Sequence, residues 1–169
     1  PIAGRTRLET EKLIGFFVNT LPIRIHGFGK LTFEEMLGRV RSVVVDAINY
    51  QDLPFEKLVE ELQPERNLNH TPLFQVMLNV FLLDDTQLRV PGLTIETLTR
   101  PNDESKFDLT MYVLKQRDDL CVDLRYNADL FDAVRMEEML GQFFNLLHQI
   151  GTAPDRTIGS FSLLTKTSR

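Results

Sequence analysis

The sequence contains a single cysteine, Cys121. An intrachain disulfide and a multi-cysteine metal site are both excluded. Histidine is almost as scarce, with His26, His70 and His148 scattered along the chain. A zinc site needs clustered ligands, so no metal is expected. Positive charge is in deficit: 19 Lys and Arg stand against 24 Asp and Glu, a net charge of −5. A nucleic-acid partner would favour a basic face, and none is expected here. No stretch approaches the roughly 18 uninterrupted apolar residues of a membrane span, so no membrane partner is expected either. The opening residues, Pro1-Ile2-Ala3-Gly4-Arg5-Thr6-Arg7, lack the apolar region of a secretory signal. Together with the scarce cysteine this points to a cytoplasmic setting. The sequence also lacks an initiator Met, and we expect it to be an excised piece of a longer chain.

What is present reads as an ordinary globular protein. At 169 residues, with 43% hydrophobic and 25% charged, the chain fits one compact domain or one lobe of a larger one. Phe16, Phe17, Val18, Leu21, Ile23 and Ile25 predict a strand over 16–25, with Pro22 placing it at an edge or a bulge. Thr32-Phe33-Glu34-Glu35 is a capping-box sequence, and apolar residues at helical spacing behind it predict a helix over 33–49. Asp52 and Pro54 open a shorter helix over 54–62, which Pro64 ends. A strand over 73–83 places Phe74, Val76, Leu78, Val80 and Leu82 on an apolar face and Gln75, Met77, Asn79 and Phe81 on a mixed one. A short strand is expected over 93–98, a hairpin of strands over 109–115 and 120–126, and a last helix over 133–150. The order implies an α/β (α+β layered) fold with a mixed β-sheet covered by helices.

Three separated motifs say more. Ile14-Gly15-Phe16-Phe17-Val18-Asn19-Thr20-Leu21-Pro22-Ile23-Arg24, after Gly4-Arg5-Thr6-Arg7, resembles the fifth core motif of nonribosomal peptide synthetase condensation domains. Tyr50-Gln51-Asp52-Leu53-Pro54-Phe55-Glu56 is similar to the sixth. Arg66-Asn67-Leu68-Asn69-His70-Thr71-Pro72-Leu73-Phe74-Gln75-Val76-Met77 looks like the seventh, and order and spacing agree as well. The resemblance implies a two-lobed fold like that of chloramphenicol acetyltransferase, with a tunnel between the lobes. Through it two carrier proteins deliver thioester-bound groups that are joined by an amide bond.

The family's catalytic signature, His-His-x-x-x-Asp-Gly, belongs to the N-terminal lobe, and this sequence has no adjacent histidines. Residues 1–169 therefore resemble the C-terminal lobe with the N-terminal catalytic lobe absent. No catalytic residue is assigned, and the chain is expected to be inactive alone, supplying a tunnel wall and a carrier-docking surface. Implied partners are the N-terminal lobe, donor and acceptor peptidyl carrier proteins and a neighbouring adenylation domain. No cofactor is expected to bind directly; the phosphopantetheine arm of the carriers acts as a substrate tether. A lobe of an epimerization or heterocyclization domain, or a non-catalytic carrier-binding module, are the rival readings.

Asn19, Thr20, Arg24, Asp52, Pro54 and Phe55 are the family-motif candidates for the lobe interface. Each also has a plainer role: Asn19 satisfying backbone groups, Arg24 pairing with a carboxylate, and Asp52, Pro54 and Phe55 forming a helix start with an aromatic anchor. Gln75, Met77 and Asn79 share a strand face and are candidates for tunnel lining. A severed lobe should also bare apolar surface, first over Val80–Val90 and then around Phe16 and Phe17.

Overall fold

The computed structural model describes residues 1–27, 29–65, 71–83, 92–93, 105–116 and 119–164, with 82, 83 and 116 as backbone only. The elements run α1 (Leu8–Glu11), α2 (Phe33–Asn49), α3 (Phe55–Leu62), β1 (Val76–Leu83), β2 (Leu109–Gln116), β3 (Asp119–Tyr126) and α4 (Ala133–Thr152), then a 3-10 turn at Ile158–Ser160. They fall into two compact units, Pro1–Glu65 with Val134–Arg169, and Arg66–Ala133. The deepest apolar side chains among the described residues are methionines: Met36 and Met136 in the first unit, Met77 in the second. An unbranched, polarisable side chain fills irregular gaps well, so methionine suits such a position.

In the first unit, α2 begins where its capping box places it. The Thr32 N–H donates to Glu35 Oε2 at 2.8 Å, and the Glu35 N–H donates to Thr32 Oγ1 at 3.2 Å. Two backbone donors that the helix leaves unpaired are thereby satisfied. Of the apolar stripe, Met36 is buried, while Leu37 and Ile48 lie toward solvent. Helix α3 ends at Gln63, whose φ of 42° is left-handed, just before Pro64. Its exposed face pairs Lys57 with Glu60 at 2.8 Å and Glu61 at 3.5 Å. Such solvated pairs contribute little stability.

Helix α4 carries a strap. Asn145 Nδ2 donates to the carbonyls of Ser162 and Leu164, and Gln149 Nε2 donates to that of Ser162. The Ser162 N–H in turn donates to Gln149 Oε1. Two side-chain amides one helical turn apart thus hold the extended segment after the 3-10 turn as a neighbouring strand would. Ahead of it, Thr32 and Thr157 form a bridge, and the Ile158 N–H donates to the Leu31 carbonyl at 2.8 Å.

The strand expected over 16–25 is not present. Among the described residues this segment pairs only at an isolated antiparallel bridge between Ile2 and Asn19. Pro22 has no N–H to give a ladder, and the Asn19 side chain occupies neighbouring backbone groups of the 51–55 segment instead. Ile14 and Phe16 are exposed, whereas Phe17 is half-buried. Helix α1 has no counterpart in the sequence pattern, since four residues of Leu-Glu-Thr-Glu hold no apolar period.

Among the described residues, the second unit holds a three-stranded sheet in the order β1-β2-β3. β1 pairs parallel with β2, from Val76 opposite Leu109, and β2 pairs antiparallel with β3, from Leu109 opposite Tyr126. The hairpin lies where alternation predicts it. β1 starts at Val76 rather than at 73 because the chain turns first: Leu73 is left-handed at φ 70°, and the Phe74 N–H donates to the Pro72 carbonyl. Phe74 leaves the strand face and meets Phe107, with centroids 5.4 Å apart. Apart from Leu93, which is not in a strand, the short strand expected over 93–98 lies outside the described residues.

Because paired residues share a face, the register sorts the sheet into two surfaces. Val76, Leu78 and Val80 line up with Leu109, Met111 and Val113, and these with Tyr126, Leu124 and Val122. This face is almost wholly apolar, yet its β1 row is 60, 55 and 57% exposed. The opposite face is mixed, and it holds the buried Met77 and Thr110 side by side. A mixed three-stranded sheet with helices is the expected fold class.

Candidate functional site

The polar residues of the first two motifs converge on one side chain. Asn19 Nδ2 donates to the carbonyls of Gln51 at 2.9 Å and Leu53 at 2.8 Å. Its Oδ1 accepts from the Thr20 N–H at 2.9 Å and the Phe55 N–H at 3.1 Å. A primary amide has two donor hydrogens and two acceptor lone pairs, so this side chain is fully used. Its backbone exchanges two further bonds with Ile2, at 2.8 and 3.1 Å. Three stretches of chain are thus joined through one residue. The bond to the Phe55 N–H also caps α3: Pro54 is the N-cap and has no side-chain oxygen to offer.

Around this node Thr20 is half-buried, and Phe55 is half-buried at the first turn of α3. Asp52 is exposed, and its Oδ1 accepts from Thr6 Oγ1 at 3.4 Å. The Arg5 guanidinium lies 4.2 Å from the centroid of the Phe17 ring and donates to the Thr10 carbonyl. Gly4, at φ +59°, approaches so closely that a Cβ would sit 2.0 Å from the Phe17 carbonyl oxygen. Only glycine fits there. Arg24 is not drawn in. It is exposed and makes no ion pair among the described residues.

The tunnel-lining candidates fare differently from one another. Gln75 is exposed, and its Nε2 returns to the Thr71 carbonyl at 3.2 Å, bracing the turn before β1. Met77 is buried. Asn79 is half-buried, and its amide makes no hydrogen bond among the described residues. The register places Tyr112 directly beside Asn79 and Asp123 directly beside Tyr112. The Tyr112 ring stacks on Phe81 at 6.3 Å and 9°. The Arg125 guanidinium lies 4.7 Å from its centroid, and Arg125 Nη2 is paired with Asp123 at 3.2 Å. Sequence inspection reaches Asn79 but misses Tyr112 and Asp123. Only the pairing of β2 with both neighbours brings them into its row.

His26 and His148 are exposed, the His26 carbonyl accepting from Arg39 Nη1 at 2.8 Å, and His70 lies outside the described residues. No group of three or more His, Cys, Asp or Glu that could hold a metal occurs among the described residues. No helix among them is long and apolar enough to cross a membrane.

Comparison with known proteins gives a consistent picture. The family model described as "Condensation domain" matches residues 1–169. A linear gramicidin synthase subunit of Brevibacillus parabrevis is 45% identical over 168 residues, a match spanning 97% of this chain and 2% of that protein. Malpinin synthetase of Mortierella alpina is 40% identical over 169 residues, spanning 100% of this chain and 2% of that protein. The chain thus spans a small fraction of the curated relatives it matches. A four-domain nonribosomal peptide synthetase bound to AMP and glycine superposes with a TM-score of 0.85 at 24% identity, over 98% of this chain and 14% of the other. The X-domain from teicoplanin biosynthesis, solved in complex with OxyB, superposes with a TM-score of 0.79 at 28% identity, over 94% of this chain and 35% of the other.

Proposed function

The chain belongs to the condensation domain family, and on that premise we propose that it is the C-terminal lobe of a condensation domain within a nonribosomal peptide synthetase. The parent domain forms the amide bond between carrier-bound aminoacyl or peptidyl thioesters. The observation that carries the reading is the family match along all of residues 1–169 in a sequence that holds the fifth to seventh motifs in order and no adjacent histidines. The relatives named above, a gramicidin synthase and a four-domain synthetase among them, support a multidomain setting with carrier and adenylation domains as partners.

In this reading the lobe does no proton transfer of its own. Its contribution is positional: one tunnel wall and part of the carrier-docking surface, so that two tethered reactants meet at high effective concentration. The Asn19 node suits that task, since it fixes the 51–55 segment and the start of α3 against the first motif. Phosphopantetheine enters as the tether of the carriers.

The test is reconstitution. The chain alone, given loaded donor and acceptor carrier proteins, should yield no dipeptidyl thioester above background. Adding the N-terminal lobe in trans should restore product. Turnover by the chain alone on the order of 1 per second, as ordinary enzymes achieve, would overturn the assignment of catalysis to the other lobe. The likeness to the X-domain solved with OxyB favours a second reading, a non-catalytic module that binds a partner protein. Stable carrier binding with no product even in the presence of the N-terminal lobe would select it.

A further inference from the structure

The mixed face of the sheet contains a feature that the motifs do not account for. Asn79 and Tyr112 sit side by side in one row, both half-buried. Neither the Asn79 amide nor the Tyr112 hydroxyl makes a hydrogen bond among the described residues. A polar group that reaches solvent, as both do here, needs no partner in the chain and can be left on a loosely held side chain. Here the surrounding side chains instead hold the tyrosine ring while leaving its hydroxyl available. Phe81, in the row after, stacks on the ring. Arg125, in the row before, lies over it and is itself paired with Asp123. Leu114 adds apolar surface to the same face, and the buried Met77 lies beneath it in the row before. A mostly apolar wall with a few convergent, pre-positioned polar groups is the usual make-up of a small-molecule surface.

We propose that Asn79 and Tyr112 form a subsite for the secondary amides of an extended, thioester-tethered acyl chain, with Phe81, Arg125 and Asp123 acting as positioning residues for the Tyr112 ring. A primary amide matches a secondary amide in kind: Nδ2 donates to its carbonyl and Oδ1 accepts from its N–H. The neighbouring phenol can donate a second bond to the same carbonyl or to the next amide along the chain. Apolar carbons between amides would lie on Phe81 and Leu114. The site rests on the condensation reading for its ligand, which could present such amides either in the pantetheine arm or in the peptidyl group itself.

The test is a titration of the 15N-labelled chain with three probes. These are pantetheine, N-acetylalanine methylamide, and a thiol-terminated triethylene glycol that has no amide. The Asn79 side-chain NH2 signals are identified by their loss in Asn79→Leu. They should shift with pantetheine and stay still with the polyether. A shift with N-acetylalanine methylamide as well means that any secondary amide is accepted; its absence assigns the subsite to the tether. Tyr112→Phe, which retains the stacked ring, should weaken binding about three- to tenfold, the effect of one neutral hydrogen bond. Unmoved Asn79 signals, or equal shifts with the polyether, would overturn the subsite. The parent reading fails separately: if the reconstituted lobes make no product while the Asn79 signals still respond to amides, the condensation assignment is wrong and the subsite stands.

Discussion

Asn19 in the first unit and Asn79 in the second carry the same side chain, yet the first makes four side-chain hydrogen bonds and the second makes none among the described residues. The difference separates two ways in which a polar residue can matter. Asn19 stands inside a recognisable motif, and its chemistry is spent within the chain, on two carbonyls and two N–H groups. Nothing is left over for a ligand. Asn79 lies just past the last motif residue on a strand, beside a tyrosine whose ring is held and whose hydroxyl is not. Motif membership therefore points to architecture here, and unused hydrogen-bonding capacity points to binding.

The sharpest way to break this contrast is Asn19→Leu. It removes the α3 cap and leaves the Gln51 and Leu53 carbonyls without their donor, so stability should fall by roughly 2–3 kcal/mol. A urea midpoint that hardly moves would show that the node is incidental. Thr32→Ala supplies a yardstick from the same unit, because it deletes one cap whose partners are local. About 1 kcal/mol should be lost in the same urea titration. Asn79→Leu should be the mildest, within about 0.5 kcal/mol of the parent chain, since it gives up no hydrogen bond among the described residues. A loss as large as that of Thr32→Ala would mean that Asn79 is structural after all.

How much of this is legible in the sequence depends on the range of the interactions. Helix α2 runs over the predicted 33–49 because its start is fixed by Thr32 and Glu35, three residues apart, and its face by a local period. The β2–β3 hairpin is legible for the same reason. The 16–25 segment misleads because alternating Phe17, Leu21 and Ile23 resemble a strand, whereas a strand exists only if another offers it a ladder. That information is not local. Asn19 is readable as a residue that satisfies backbone groups, but its partners 32 and 36 residues away are not. Arg24 illustrates the opposite case. A charged residue in a motif suggests an ion pair, and among the described residues the exposed Arg24 makes none. The Asn79 row needs both sheet registers at once, so neither Tyr112 nor Asp123 can be singled out in advance.

The parallel pairing of β1 with β2 also dictates an order of assembly. Gln116 and Asp119 are near neighbours, so β2 and β3 can zip together while the rest of the chain is still unfolded. Val76 must wait for Leu109, with a long stretch of chain between them whose closure costs entropy before any ladder bond is gained. Contacts of that span slow folding. Of these three strands, β1 is therefore expected to arrive last and, on unfolding, to leave first. Until it docks, the β2 edge and the apolar row that becomes Leu109, Met111 and Val113 are open to whichever strand reaches them first, in this molecule or in another.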